Sequence, residues 1–508
     1  MKTFHILTLG CKVNQYESEE ISQFLLREGY APFYKHAHTS FSKEIKNFPE
    51  DHPWPRLGEI PLNLCIINGC AVTAEAEAKT RKTVRNFSKL YSPPHLVVFG
   101  CSATRNPDIF RKIPGVTHVV TGEETGGNRV AAVKRVLAEI ISGENISENS
   151  DEKFSENGEF HRNLGCFGRR HRAYLKIQDG CRQFCTYCIV PHLRKTLFSV
   201  PSQEIENEAR NLISLGHREI VLTGIHLGYY GEGIRSREEE DWGAKTVSEL
   251  PVFSCREKKT DENLVAVVRR LAEMDVANLH PVLEEFPSRS KNIFRVRISS
   301  LEAEEASDTL IRVMADFPTK ICPHLHLSMQ SGSDAVLRRM NRPGNISRYI
   351  ERCRAACESI RNLALTTDVI VGFPGEKEGD FLKTCEIAQK IGFSKIHIFR
   401  YSPREGTPAA LMPDQIPGIE KQRRAEFLAE IETEMRKNYF RRFLGKEMEV
   451  LVEKCEPIHV GNAKFVLRGT SERYLPVKFY SDKNLCGEFV TLHGVEIMED
   501  EDGILGKF

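Results

Sequence analysis

The sequence has almost no net charge, and it contains no long run of apolar residues. Its 71 basic residues are balanced by 70 acidic ones, which leaves a net charge of +1. A chain without a basic excess can contact nucleic acid only through local patches. No apolar run approaches the roughly 20 residues that a membrane-spanning helix needs, and the first ten residues lack the small-residue cleavage site of a secretory signal. We therefore expect a cytoplasmic protein with no membrane partner.

Cysteine, in contrast, is abundant, with 15 residues in a chain of 508. In a reducing compartment these cannot form a disulfide framework, so clustered cysteines are candidate metal ligands and scattered ones are candidate core residues. Three of them, Cys181, Cys185 and Cys188, fall within eight positions. Gly180 precedes them and permits a tight loop. Thiolates are soft ligands, which favours an iron-sulfur cluster or zinc.

The spacing of these three cysteines bears on the choice of metal. A structural zinc site normally has four ligands in paired units, and only His192 lies nearby as a further candidate. Three thiolates on a four-iron cluster leave one iron open to bind a small molecule. The C-x3-C-x2-C spacing resembles the signature of radical S-adenosylmethionine (SAM) enzymes. We favour the cluster, with zinc and ordinary core packing as the alternatives.

Six short β-rich runs alternate with helical patterns in the middle of the chain. Such alternation predicts a parallel sheet, and six units fit a partial (β/α)6 barrel better than a closed eight-stranded one. The cysteine loop follows the first run, at the carboxyl end of a strand, where such folds place their chemistry. The runs are residues 172–178, 219–224, 293–300, 324–331, 365–373 and 395–402.

A second set of cysteines, Cys11, Cys70 and Cys101, each ends a short apolar strand pattern. Parallel strands would bring these ends to one crevice of a doubly wound α/β domain, at the edge where such sheets bind ligands. The alternative for any single one is a small residue packed at a sheet edge. Cys65 lies inside its strand and is expected in the core. Core packing is also the expectation for eight others: Cys166, Cys255, Cys322, Cys353, Cys357, Cys385, Cys455 and Cys486.

Several motifs occur in the order found in the radical SAM methylthiotransferase family, which the chain resembles from residue 4 to about 455. They are GCKVNQYES, INGCAVT, FGCSA, DGCRQFCTYCIVP, VLTGIHLGYYG, HLHLSMQSGSD, TTDVIVGFPGE and YSPREGTPAA. The first motif is most similar to the branch that modifies threonylcarbamoyladenosine in tRNA. The resemblance implies an auxiliary 4Fe-4S cluster on Cys11, Cys70 and Cys101, and a SAM-binding 4Fe-4S cluster on Cys181, Cys185 and Cys188.

The activity implied by this resemblance is addition of a methylthio group to carbon 2 of N6-threonylcarbamoyladenosine, next to the anticodon of tRNA. That carbon carries an unactivated C–H bond, so a cofactor must supply the reactivity. One cluster would cleave SAM to a radical, and the other would deliver the methylated sulfur. The implied partners are the anticodon stem-loop of tRNA, a low-potential electron donor such as a flavodoxin or ferredoxin, and a sulfur source. The alternatives are the isopentenyl-adenosine branch, the ribosomal-protein branch and a non-catalytic zinc protein that binds RNA.

Four residues at strand ends are candidate SAM contacts. Gly224 would let the backbone approach the methionine part, and Gln330 and Ser331 would face the same cavity. Arg404 would position a carboxylate or a phosphate. Turn chemistry is the alternative for the first three, and a surface ion pair is the alternative for Arg404.

The sequence predicts three domains in order. Residues 1–140 form the doubly wound domain, 141–163 a linker, 164–440 the radical SAM domain with a surface insertion at about 231–290, and 441–508 a small all-β barrel that would correspond to the family's RNA-binding TRAM domain. A second insertion covers about 35–60. One departure from the family is Gly69, where Thr is usual.

RNA contact would come from basic runs and from aromatic residues of the last domain. The runs are residues 169–172, 338–342 and 436–442, each of which would otherwise be a solvated face. The aromatic candidates would either stack on bases or fill the core of the barrel. They are Phe465, Tyr474, Phe479 and Tyr480.

Overall fold

The computed structural model describes residues 2–33, 62–91, 95–122, 128–143, 171–232, 263–276, 294–460, 463–498 and 502–508. These residues form two compact units. The first contains the described residues up to Gly143 together with the short segment His192–Thr196, and the second contains the rest. In the described part of the chain, no helix combines the length and the apolar character that spanning a membrane requires.

The first unit is built on a parallel five-stranded sheet with the order β2-β1-β3-β4-β5. Its strands are β1 (Thr3–Thr8), β2 (Ala31–Pro32), β3 (Leu64–Gly69), β4 (His95–Gly100) and β5 (His118–Val119). Its helices are α1 (Lys12–Arg27), α2 (Ala74–Tyr91), α3 (Cys101–Arg105), α4 (Pro107–Arg111) and α5 (Arg129–Ser142).

Alternating residues of the central strand β3 enter two different cores, which is why the sheet is covered on both faces. Leu64 and Ile66 pack with Ile21 of α1 and Leu137 of α5. The intervening residues Cys65 and Ile67 pack on the other face with Val84 of α2 and Phe110 of α4. Because side chains of a strand alternate between faces, a fully apolar run requires two covered faces. The predicted doubly wound domain and the core position of Cys65 are confirmed.

The second unit begins with a partial barrel of six parallel strands. Its strands are β6 (Arg172–Asp179), β8 (Glu219–Gly224), β9 (Arg295–Ile298), β10 (His324–His326), β11 (Ala364–Val371) and β12 (Lys395–Arg400), with the short β7 (Phe198–Ser199) antiparallel to β6. Parallel bridges from Val296 to Ile321 and from Leu301 to Leu327 connect the β7-β6-β8-β9 sheet to the β10-β11-β12 sheet. The predicted (β/α)6 architecture is therefore confirmed.

The helices of the barrel follow its strands. They are α6 (Val190–Leu193), α7 (Ser202–Ser214), α8 (Leu264–Glu273), α9 (Asp308–Asp316), α10 (Asp334–Arg339), α11 (Ile346–Ser359), α12 (Glu378–Ile391) and α13 (Gly418–Arg441). Helix α8 corrects the sequence prediction, because it lies inside the range 231–290 that we interpreted as a surface insertion. Its apolar residues recur at helical spacing and are buried, as Val267, Val268 and Leu271 show. The charged segments on either side, residues 233–262 and 277–293, lie outside the described residues.

Other predicted connections are only partly described. Helix α5 continues to Ser142, into the predicted linker, and Gly143 ends it in the left-handed conformation that glycine favours. The rest of the linker and the predicted insertion at about 35–60 lie outside the described residues. Among the predicted core cysteines, Cys166 and Cys255 are outside them too. Cys322, Cys353 and Cys385 are buried as expected, and the half-buried Cys455 packs against the core of the C-terminal barrel. Cys357 and Cys486 are exposed, so core packing was wrong for these two.

The chain ends in a closed five-stranded barrel with the order β13-β14-β15-β17-β16, which is consistent with a TRAM domain. Its strands are β13 (Glu447–Val460), β14 (Ala463–Ser471), β15 (Pro476–Ser481), β16 (Phe489–Ile497) and β17 (Ile504–Lys507). Tyr439, Phe440 and Phe443, at the end of α13 and just after it, pack into the core of this barrel. The long helix α13 is therefore packed against the barrel that follows it.

A buried ion-pair network joins this small barrel to the sheet of the partial barrel. Glu219 of β8 accepts hydrogen bonds from Arg295 Nε at 2.7 Å and Arg297 Nε at 2.6 Å. Arg295 also donates to the backbone oxygens of Glu449 and Thr470 in the small barrel. The sequence predicts two domains here, divided at residue 440. These contacts explain why the two domains form one compact unit in the structure.

Candidate active site

The first candidate site lies at the carboxyl edge of the sheet in the first unit. Strands β1, β3 and β4 are neighbours, and a cysteine follows the end of each. The chain order reverses between β1 and β3, which is the position where open α/β sheets bind ligands. Cys11, Cys70 and Cys101 therefore come to one edge, as the sequence predicts. We call this edge the auxiliary crevice.

Close contacts bring the backbone of β1, β3 and β4 together at the auxiliary crevice. A side chain on Gly10 would place its Cβ only 3.0 Å from Cys70 Cβ, and Gly10 has a φ of +135°. Cys70 and Cys101 are buried, whereas Cys11 is open to solvent on one side. Packing around Cys11 raises the pKa of its thiol, and the nearby Cys101 raises it further. The three thiols therefore form a set with one accessible member.

Two asparagines stabilise the backbone around the auxiliary crevice. The sequence analysis did not identify them. Asn14 Nδ2 donates to Asn68 Oδ1 at 2.8 Å, and Asn68 Nδ2 donates back to the Asn14 backbone oxygen at 2.9 Å. Cys11 Sγ lies 3.1 Å from Asn14 Oδ1. The pair ties α1 to β3, and so fixes Cys11 relative to Cys70. Asn14 lies in the motif GCKVNQYES and Asn68 lies in the motif INGCAVT, so these two motifs could have pointed to both asparagines.

The structure also explains the unusual Gly69. A Cβ at this position would lie 2.6 Å from Thr80 Cγ2 and 3.0 Å from Ser102 Cβ. Both contacts are shorter than van der Waals distance, so any side chain would force α2 or α3 to move. Thr80 Oγ1 in turn lies 3.4 Å from the Cys70 backbone oxygen. Gly69 is therefore required by the residues that pack around Cys70.

A buried ion pair lies beside the crevice, within the first unit. Arg194 Nη1 and Nη2 donate to Glu17 Oε1 and Oε2 at 2.8 and 3.1 Å, and both side chains are almost completely buried. Arg194 also offsets part of the increase that burial causes in the pKa of the Cys11 thiol. A cation next to the sulfur stabilises a thiolate, which is the form that binds metals.

The second candidate site is the cysteine loop, residues 181–188, which follows β6. Gly180 has a φ of +82° and Phe184 a φ of +43°, so the backbone turns sharply on both sides of Cys181. The Cys188 N–H donates to the Cys185 oxygen at 2.9 Å and closes the turn. Burial, together with the neighbouring Cys185 and Cys181, raises the pKa of Cys188 to about 12. Such thiols become ligands when a cation stabilises their thiolates.

A histidine contacts the first cysteine of this loop. His226 Nδ1 lies 3.5 Å from Cys181 Sγ, and its Nε2 contacts the Glu305 carboxylate. Burial disfavours the charged imidazole, but the hydrogen bonds to Cys181 and Glu305 outweigh it and raise the pKa of His226 to about 10. The raised pKa favours the charged imidazole, in which Nδ1–H can donate to the sulfur. The ring also stacks on Tyr229 with centroids 4.1 Å apart.

An arginine supports the same loop from another side. Arg342 Nη2 contacts the Glu302 carboxylate and donates to the Ser328 oxygen at 3.1 Å, while its Nη1 lies 3.4 Å from the Tyr187 hydroxyl. Nη1 is also 4.0 Å from Cys185 Sγ. The sequence suggested that the run 338–342 contacts RNA, but the Arg342 side chain is buried in this network. A run of basic residues in the sequence does not reveal that Arg342 has these distant partners.

Models of two protein families match the chain. The model described as the radical SAM superfamily matches residues 175–388, which include the cysteine loop and four of the six parallel strands in full. The model described as uncharacterized protein family UPF0004 matches residues 61–122, which contain Cys70 and Cys101.

Curated relatives match over nearly the full length. Threonylcarbamoyladenosine tRNA methylthiotransferase MtaB of Thermotoga maritima is 31% identical over 99% of this chain and 96% of its own length. The MtaB of Bacillus subtilis is also 31% identical, over 96% and 93%. The chain belongs to the radical SAM methylthiotransferase family. Another member, tRNA-2-methylthio-N(6)-dimethylallyladenosine synthase of Dictyoglomus thermophilum, is 30% identical over 96% and 95%.

Radical SAM methylthiotransferases use SAM and 4Fe-4S clusters, and this chain is a transferase of that family. Its residues fit the clusters: each candidate site offers three thiols, the ligands that iron-sulfur clusters take. The thiol-only sets, one with a cation beside Cys11 and the other with donors beside Cys181 and Cys185, are more typical of such clusters than of a closed four-ligand zinc site.

The four predicted SAM contacts lie at or beyond the carboxyl ends of barrel strands. A Cβ on Gly224 would lie 2.9 Å from both Cβ and O of Gln178, so packing already accounts for this glycine. Gln330 has a φ of +63°, and Ser331 is fully buried, with its Oγ accepting from the Ser333 N–H at 3.2 Å. Arg404 is 4% exposed, which excludes the surface ion pair. Direct contact of these residues with SAM stays a prediction.

The aromatic candidates for RNA contact divide between core and surface. Phe479 is fully buried in the barrel, and Phe465 packs against the same core. Tyr480 is exposed. Tyr474 is also partly exposed, but its ring already stacks on His324 and faces the Arg297 guanidinium 4.6 Å away. The ring of Tyr480 has the Lys478 ammonium 5.7 Å from its centroid but stacks on no aromatic ring of the described residues, so Tyr480 is the better candidate for stacking on a base.

Proposed function

We propose that this chain transfers a methylthio group to carbon 2 of N6-threonylcarbamoyladenosine in the anticodon stem-loop of tRNA. The observation that carries the proposal is the presence of two separate three-thiol sets, each just beyond the carboxyl ends of parallel strands. One set meets the need for SAM cleavage, and the other provides a place for sulfur. The nearly full-length similarity to relatives named for this substrate supports the choice of branch.

In this proposal Cys181, Cys185 and Cys188 bind the SAM cluster, and Cys11, Cys70 and Cys101 bind the auxiliary cluster. When bound, these groups supply the electron and the radical chemistry that an unactivated C–H bond requires. His226 and Arg342 hold the cysteine loop and direct donors at its sulfurs. A low-potential electron donor such as a flavodoxin or ferredoxin, and a separate sulfur source, complete the proposed set of partners.

The test of substrate is mass spectrometry of tRNA nucleosides from cells that lack their own methylthiotransferases, with and without this protein. We expect 2-methylthio-N6-threonylcarbamoyladenosine to appear only with the protein. The dimethylallyl branch is the second candidate, because a relative of that branch is 30% identical. Appearance of its product alone would overturn the branch, and unchanged tRNA would favour a ribosomal-protein substrate.

The test of ligand assignment compares three substitutions in anaerobically reconstituted protein. Cys185→Ala should abolish SAM cleavage and leave one cluster, and Cys101→Ala should retain SAM cleavage but lose methylthiolation. Cys357→Ala is the matched control, because Cys357 is an exposed cysteine outside both sets. Retained SAM cleavage in Cys185→Ala would contradict the assignment.

A further inference from the structure

Three side chains on neighbouring strands of the partial barrel converge without any role in the proposed reaction. His326 ends β10, Asp368 lies on β11 and His397 lies on β12. Each offers one ligand atom, and these atoms all lie within 4.8 Å of one another. His326 and Asp368 occur in motifs that support the family resemblance, and none of the three residues belongs to the cysteine sets.

Strand register explains why they meet. His326 pairs with Thr366 across β10 and β11, and Asp368 pairs with His397 across β11 and β12. Paired residues of adjacent strands point to the same face, as do residues two apart on one strand. All four side chains therefore share one face of the sheet. The intervening Thr367 points to the opposite face, where it contacts Tyr349 of α11.

His326 is oriented as a metal ligand would be. Its Nδ1 lies 3.0 Å from Thr366 Oγ1, which fixes the ring and leaves Nε2 directed at the cluster. Nε2 lies 3.3 Å from Asp368 Oδ2 but makes no hydrogen bond, although His326 is only 8% exposed. A buried polar atom that makes no hydrogen bond is costly. Metal-binding histidines commonly use their second nitrogen in this way, in a hydrogen bond that sets the tautomer.

We propose that His326, Asp368 and His397 bind one divalent transition-metal ion of the zinc type. Two imidazoles and one carboxylate suit such ions, and three protein ligands leave at least one coordination position open. The His326 and His397 rings lie 5.7 Å apart between centroids, close enough for one ion to contact both. His397 is exposed and Asp368 is partly exposed, so an ion can enter from solvent.

This site is distinct in chemistry from the iron-sulfur sites and does not depend on the proposed tRNA substrate. It contains no thiolate, so it selects borderline ions with nitrogen and oxygen ligands. Because its three ligands come from three strands, a bound ion cross-links β10, β11 and β12. An ion that binds only to the folded state would therefore also raise the unfolding temperature of the protein.

The experiment is a calorimetric Zn2+ titration of the anaerobically reconstituted enzyme with both clusters in place, while iron content and visible absorbance are followed. We expect one saturable Zn2+ site per chain with no loss of iron. His397→Gln should weaken this binding by at least about tenfold, the scale on which even indirect supports of a metal site act. His397 is exposed, so this variant retains its fold. His493→Gln is the control, because it also removes an imidazole that is largely exposed.

Two results would overturn the proposal. One is the absence of a saturable Zn2+ site in the reconstituted enzyme. The other is equal Zn2+ affinity in the parent enzyme, His397→Gln and His493→Gln, which would place the ion at the cysteines or elsewhere. His326→Gln provides a second test at the buried ligand, with circular dichroism to confirm folding, and unchanged affinity in that variant would also contradict the site.

Discussion

Glu219 and Arg297 form an ion pair in which both side chains are excluded from solvent. Arg297 Nε donates to Oε1 at 2.6 Å and Nη2 donates to Oε2 at 3.0 Å, while Nη2 also lies 3.3 Å from the Ser471 backbone oxygen of the small barrel. Burial by itself would raise the pKa of Glu219, but Arg297 and Arg295 outweigh it and hold that pKa well below its ordinary value. One carboxylate therefore holds the two arginines that connect the partial barrel to the small barrel.

Replacing this carboxylate should strongly destabilise the second unit. We expect Glu219→Gln to lower the free energy of unfolding by about 3–5 kcal/mol, because it leaves two buried guanidiniums without their counter-charge. Denaturant unfolding of the reconstituted protein measures the loss. Glu386→Gln, at an exposed position of α12, should change stability little. Equal effects of the two substitutions would show that the buried pair contributes nothing specific.

The same pair predicts how stability depends on pH. Glutamate in an unfolded chain has a pKa of about 4.3, and Glu219 has a lower pKa in the folded state. Its contribution is therefore complete above about pH 4.3, and it is lost as the pH falls, because the unfolded state then binds the proton more readily. The stability difference between the parent protein and Glu219→Gln should narrow below that pH. A difference that stays constant down to pH 3.5 would contradict this.

Gly69 offers a test of packing at the auxiliary crevice. Gly69→Ala should destabilise the first unit by about 1–3 kcal/mol, because the new Cβ would lie 2.6 Å from Thr80 Cγ2. Thr80→Ser removes that methyl group and keeps the hydroxyl. The double substitution Gly69→Ala, Thr80→Ser should therefore recover part of the loss, measured by thermal unfolding. If the destabilisation of the double variant equals the sum of the two single destabilisations, the Thr80 methyl group is not the source of the steric clash.

His226 provides a test of the hydrogen bond at the cysteine loop. In the reconstituted enzyme, His226→Phe removes a donor to Cys181 Sγ, and donors to cluster sulfurs influence the reduction potential. We expect the midpoint potential of the SAM cluster to become more negative, because the donor stabilises the more negatively charged reduced form. A redox titration followed by electron paramagnetic resonance measures it. His118→Phe, in the first unit, should leave that potential unchanged, and an unchanged potential in His226→Phe would exclude the effect.

Much of the architecture could be predicted because its signals are local. Apolar runs predicted the strands β1, β3 and β4. The alternation of short β-rich runs with helical patterns predicted the six strands of the partial barrel. Helix α8 was missed because the charged segments around it dominated the composition of residues 231–290. The sequence suggested separate domains divided at residue 440, because nothing in the local pattern indicates that Arg295 donates to the backbone oxygens of Glu449 and Thr470, 154 and 175 positions further on.

The sequence by itself determined the two cysteine sets, because cysteine spacing and strand-end positions are properties of short segments. Tertiary structure alone decided which side chains surround them. Asn14 meets Asn68 across 54 positions, and His326 meets Asp368 through strand register. Register depends on how whole strands pair and pack, so no short segment encodes it. The thiols could be found by reading the chain, whereas their supports and the His326 site required the fold.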